Sequence, residues 1–98
     1  MPELRNWFIT ERPLDPWTPP ECQEQVFCFA GDVYGHKNGS LIEGGFVHTS
    51  KPVEVDMDAG RVVTASGTEY RLVGNPRKDW SAYLYTNGYS VQQFLDLL

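Results

Sequence analysis

Between Pro52 and Gly60 the chain reads PVEVDMDAG, with apolar and acidic positions alternating at a period of two. That period marks a strand with one apolar and one polar side. Val53, Val55 and Met57 are expected on one side, and Glu54, Asp56 and Asp58 on the other. Asp58-Ala59-Gly60 then supplies turn residues leading into RVVTA, so the stretch reads as a tight hairpin. SGT makes another turn before EYRLVG, where Glu69 and Arg71 alternate with Tyr70 and Leu72.

Upstream, QVFCFAGDVYG is dense in aromatic and β-branched residues, with apolar side chains at both parities. A strand buried on both faces has that pattern, so this one is expected at the centre of the sheet. GHKNGS follows, its Asn38-Gly39 pair signalling a hairpin turn, and LIEGGFVHTS reads as the next strand. Gly44-Gly45 within it marks a bulge or a sharp bend. Residues 25–73 thus predict about five short strands in an antiparallel meander, curled or partly closed.

Both ends of the chain differ from this middle. Five of the seven prolines (Pro2, Pro13, Pro16, Pro19 and Pro20) fall in residues 1–24. Proline interrupts ladders and helices alike, so the segment is expected to wrap the domain as an extended arm. NWFIT offers a short strand within it, and Trp7, Phe8 and Trp17 anchor it. In residues 79–98 the period lengthens to that of a helix. Asp79 is expected to N-cap a first helix through Tyr85, closed by Asn87-Gly88. Ser90 begins a second helix, with Gln93 completing a capping box. Val91, Phe94, Leu95 and Leu98 form its apolar stripe, which is expected to pack on the sheet. The fold class is therefore α+β, a single domain of 98 residues.

Charge and chemistry narrow the function classes. Thirteen acidic and eight basic residues give a formal net charge of −5, and Arg77-Lys78 is the most basic stretch, followed at once by Asp79. That balance argues against direct nucleic-acid binding, which needs a clustered basic patch, and suits a basic partner. No run is long enough for a membrane span, and the N-terminus lacks the basic start and apolar core of a secretory signal. With only two cysteines, the chain reads as a cytoplasmic protein with reduced thiols.

Cys22, Cys28, His36 and His48 are separated by five, seven and eleven residues. Structural zinc sites pair their ligands two to four residues apart, so no metal site is expected. Cys28 lies mid-strand among phenylalanines, where a thiol acts as a small hydrophobe. No nucleophile elbow, cysteine-protease signature, phosphate loop or dinucleotide fingerprint appears, so neither catalytic residues nor a cofactor are assigned. Ser66-Gly67 reads as turn chemistry.

Two surface features remain. Glu54, Asp56 and Asp58, about 6.7 Å apart along a strand, form an acidic row that either keeps the strand soluble or meets an extended basic surface. Trp80, Tyr83, Tyr85 and Tyr89 exceed what one helix face can bury. Trp80 and Tyr83 are expected on the core side with Leu84, leaving Tyr85 and Tyr89 for a contact surface.

Taken together, GDVYGHKNG, HTSKPVEVD and GRVVTASGTEYRLVGNP resemble a pattern in small proteins of phages, prophages and plasmids. The resemblance spans Gly31 to Pro76, about half the chain, and carries no catalytic residues. It implies a mobile-element accessory protein, a class whose members inhibit host machinery, anti-CRISPR proteins among them. The expected partner is a basic surface on a protein or ribonucleoprotein complex. A nucleotide-sequestering protein and a toxin-neutralising immunity protein are the alternatives. Exposed sheet edges leave self-pairing into a homodimer open.

Overall fold

A computed structural model describes residues 2–12, 19, 26–35 and 43–98. Six strands and two helices follow one another: β1 (Glu3–Glu11), β2 (Phe27–Tyr34), β3 (Gly45–His48), β4 (Pro52–Asp56), β5 (Arg61–Thr64), β6 (Glu69–Val73), α1 (Lys78–Asn87) and α2 (Val91–Leu95). All six strands share one sheet, in the order β3-β2-β1-β6-β5-β4. The class is α+β as the pattern predicted, but the sheet is mixed. β1 pairs antiparallel with β2 and parallel with β6, through Glu3↔Arg71, Leu4↔Leu72 and Arg5↔Val73.

The N-terminal segment is therefore not simply an arm. Its first nine strand residues lie inside the sheet and join two antiparallel meanders, β1-β2-β3 and β4-β5-β6. The prolines obscured this, because only Pro2 precedes the strand and the others begin at Pro13, after it ends. Trp17, Cys22, His36 and the Asn38-Gly39 turn lie outside the described residues.

β1 carries an irregularity where its register against β2 shifts between Arg5 and Phe8. Asn6 sits there at φ 51°, a left-handed conformation that asparagine tolerates better than most residues, and its Nδ2 donates to Asp32 Oδ2 at 3.0 Å. The Gly44-Gly45 pair forms a bend into β3. Gly44, at φ 77°, donates its N–H to Val33 O, while Gly45 is the register partner of that same residue.

The sheet is curled, though not closed. β3 and β4 occupy opposite edges, yet only Thr49, Ser50 and Lys51 connect them. Across a flat sheet those edges would stand about 24 Å apart, five spacings of about 4.8 Å. Four extended chain steps reach about 14 Å. The connection fits only because the sheet bends. Thr49 N–H bonds Phe29 O beside β2, and two residues on Lys51 O accepts from Ala65 N–H beside β5, both at 2.8 Å.

Hydroxyls close this end. Thr49 and Thr64 are both buried. Thr49 Oγ1 accepts from Phe29 N–H at 3.2 Å and donates to Ser50 O at 2.9 Å. Ser66 Oγ lies 3.0 Å from Ser50 Oγ and 2.9 Å from Thr64 Oγ1. The HTS and TASGT stretches, sixteen residues apart, thus meet as one hydrogen-bonded clasp.

The core lies on the concave side around Leu4, Trp7, Ile9, Phe29, Val33, Val62 and Tyr70, with Phe94, Leu95 and Leu98 packed against it. Trp7 is its hinge to the helices. Its ring meets Phe29 edge-on at 6.0 Å and Trp80 of α1 at 6.4 Å, and its Nε1 donates to Gly74 O at 3.3 Å. α1 begins at Lys78 with Arg77 at the N-cap and no side-chain cap, so Asp79 falls in the first turn instead. Asp79 still accepts from Trp80 N–H at 3.0 Å and pairs with Arg77 at 2.8 Å. The helix runs to Asn87, two residues beyond Tyr85, and Gly88 stops it at φ 71°. α2 carries the expected capping box between Ser90 and Gln93.

Candidate partner-binding surface

β4 forms one edge of the sheet, and the alternation that identified it is interrupted at Val53. The register runs Pro52↔Thr64 and then Glu54↔Val63, so Val53 is an extra residue and turns outward, 65% exposed. Val55 and Met57 still pack toward the core. Val53 was expected beside them and is not; the bulge reverses it.

The three acidic residues are all exposed, but they do not form a uniform row. Glu54 and Asp56 lie on the strand, whereas Asp58 sits in the turn after it. Glu54 pairs with Arg61 at 3.3 Å, and Arg61 reaches on to Glu69 at 2.7 Å. Asp56 Oδ1 accepts from Ala59 N–H at 3.1 Å, closing the hairpin turn. Two of the three carboxylates therefore serve the hairpin itself. Asp58 has no such task among the described residues.

The Arg61 bond, and then its charge, hold the Glu69 carboxyl below its ordinary value. A lowered folded-state pKa stabilises the fold above the unfolded value, and the gain disappears as pH falls through the folded one. The pair is solvent-exposed, so the effect is small. Glu69→Gln should lower the urea midpoint slightly at pH 7, and the gap to wild type should shrink as pH is taken below about 4.5. A gap independent of pH would show that the ion pair is not its source.

Glu54, Val55, Asp56, Met57 and Asp58 border a groove of about 570 Å³, completed by Gln92 and Leu95 of α2. Side chains from both faces of β4 take part, so the groove follows the edge of the strand. A string of ring contacts leads away from it: Trp80–Phe94 at 5.5 Å, Phe94–Tyr89 at 6.1 Å and Tyr89–Tyr83 at 6.0 Å. Tyr89 is exposed, as expected, and is tied to the groove through α2. Tyr85 is 90% exposed and stands apart from these ring contacts. Tyr83, expected on the core side, is half exposed and belongs with Tyr89.

The convex face holds residues that periodicity alone did not single out. Phe8 stacks on Phe46 at 5.9 Å, Phe46 meets His48 edge-on at 5.1 Å, and Arg77 lies over the Phe8 ring at 5.7 Å. Beside them Asn6, Asp32, Arg77, Lys78 and Asp79 line a second groove of about 490 Å³. The strained Asn6 was invisible in the sequence, because nothing in ELRNWF marks a bulge.

Cys28 is fully buried, and burial pushes its thiol above the ordinary value while Arg12 draws it partly back. A protonated, inaccessible thiol is a poor nucleophile and a poor ligand. Among the described residues no three His, Cys, Asp or Glu side chains gather as a metal site, and no helix is long and apolar enough to cross a membrane. Comparison with protein-family models, curated proteins and solved structures finds no match.

Proposed function

We propose that this chain is a non-enzymatic binding protein of the host-cell cytoplasm. In this reading it is a mobile-element inhibitor of a host defence complex, anti-CRISPR-like, that acts by protein–protein contact. The observation that carries this reading is the groove along β4. An open edge strand, three exposed carboxylates and the side of α2 meet there. A partner presenting lysine or arginine would be drawn in quickly and salt-sensitively, because facing charges act mainly on the association rate. Tyr89 and Tyr83, next to α2, would supply apolar contact beside the charged strip.

The test must separate recognition from the hairpin's own needs. Asp56 is kept because it closes the turn; the Glu54–Arg61 pair is exposed and contributes little to stability, so Glu54→Gln is combined with Asp58→Lys. In bacteria carrying a defined CRISPR–Cas system, wild-type protein should restore phage plaquing, and the double variant should lose at least tenfold of that restoration while melting normally. Undiminished restoration by the double variant would remove the acidic edge from the mechanism. A second reading, sequestration of a nucleotide, draws on the groove beside Arg77 and Lys78. It would show as melting-temperature rises with nucleotides, since a ligand that binds only the folded state stabilises it.

A further inference from the structure

The two edges of the sheet are built differently. β4 carries a proline, a bulge and two carboxylates, all devices that discourage a further strand. β3, Gly45-Phe46-Val47-His48, carries no formal charge and no proline, pairs in register with β2, and leaves Phe46 50% exposed. From this contrast we propose that β3 is the self-association edge. A second copy of this chain adds its own β3 antiparallel to it, about a two-fold axis at Val47.

The register follows from the ladder. Thr49 N–H bonds Phe29 O, so by the alternation of an antiparallel pair Val47 also turns its peptide groups toward β2. Phe46 and His48 then turn theirs outward. A two-fold at Val47 sets Phe46 of each copy opposite His48 of the other, so all four outward groups of each strand are used. The side chains agree with this, since Phe46 and His48 lie on the exposed convex face and already meet edge-on within one chain. Charge agrees too. The sequence of β3, GFVH, carries no formal charge to be repelled across the axis. A β4–β4 pairing would instead bring carboxylates together.

A four-residue strand buries much less than the roughly 1,200 Å² of a stable interface, so the dimer is weak. Sedimentation velocity from about 5 to 300 µM should show a concentration-dependent shift from monomer to dimer. Amide exchange at Phe46 and His48 should slow as concentration rises, while that of Val47, already bonded within the chain, should not change. Phe46→Glu and His48→Glu each place like charges across the axis and should remain folded monomers. About 1 M NaCl should return part of the dimer in His48→Glu, because salt screens exposed charge. A wild-type protein that stays monomeric at 300 µM would overturn the proposal. So would a dimer that forms equally well in both variants, or one without concentration-dependent protection at Phe46 and His48.

Discussion

Gly31→Ala should cost about 2–4 kcal/mol, and Gly31→Val should leave little folded protein at 37 °C. A Cβ at position 31 would stand 2.7 Å from Arg5 O, 3.1 Å from Trp7 Cα and 3.2 Å from Leu4 Cγ. Two of those three atoms are backbone, and they belong to the irregular stretch of β1, so relief would require moving a central strand. β2 passes beneath the bulge only because this residue has no side chain. A domain of this size has a total stability of about 5–10 kcal/mol, so the urea midpoint followed by tryptophan fluorescence should fall by about a fifth or more. A Gly31→Ala unfolding free energy within about 0.5 kcal/mol of wild type would mean that β1 yields freely there.

Trp7→Ala should be at least as costly, about 3–5 kcal/mol, from lost burial and the cavity left behind. Trp7 is nearly fully buried and joins three layers of contact: Phe29 on the sheet, Trp80 on α1, and Gly74 in the connection between β6 and α1. Its removal should loosen the helices before the sheet. Helical ellipticity should melt at lower temperature than the β signal, whereas wild type should lose both together. Trp7→Phe keeps most of the volume and drops only the Nε1 bond, so it should cost about 1–2 kcal/mol. Coincident melting in Trp7→Ala would argue that the helices do not depend on this ring.

Local signals in the sequence foretold local structure. The β4–β5 hairpin, β6, the bend at Gly44-Gly45, the Gly88 stop and the Ser90–Gln93 capping box each depend on residues a few positions apart, and each was legible. Of β1 only the short stretch NWFIT was legible, and not its place inside the sheet, because its pairing with β6 spans nearly seventy residues and leaves no periodic trace of its partner. Asp79 looked like a cap and instead sits in the first turn, since an aspartate near a helix start satisfies N–H groups from either place. At the candidate surface, alternation found Glu54 and Asp56, and the turn beginning at Asp58 was legible from its residues, but the extra residue at Val53 was not. Tyr83 was misplaced for a related reason. Helical spacing from Trp80 fixes an angle around the axis, and it does not say how far along the helix the sheet beneath extends.

The connection from β3 to β4 bears on how the molecule comes apart. The two meanders share only three register pairs between β1 and β6, a short seam for a cooperative fold. Thr49 and Lys51 fasten the opposite ends of the same sheet to β2 and to the exit of β5. Each half is thus held to the other at two separate places, and neither can peel away while the second holds. Partial opening is discouraged at both, so the chain is wired to unfold as a single unit, although its strand order reads as two.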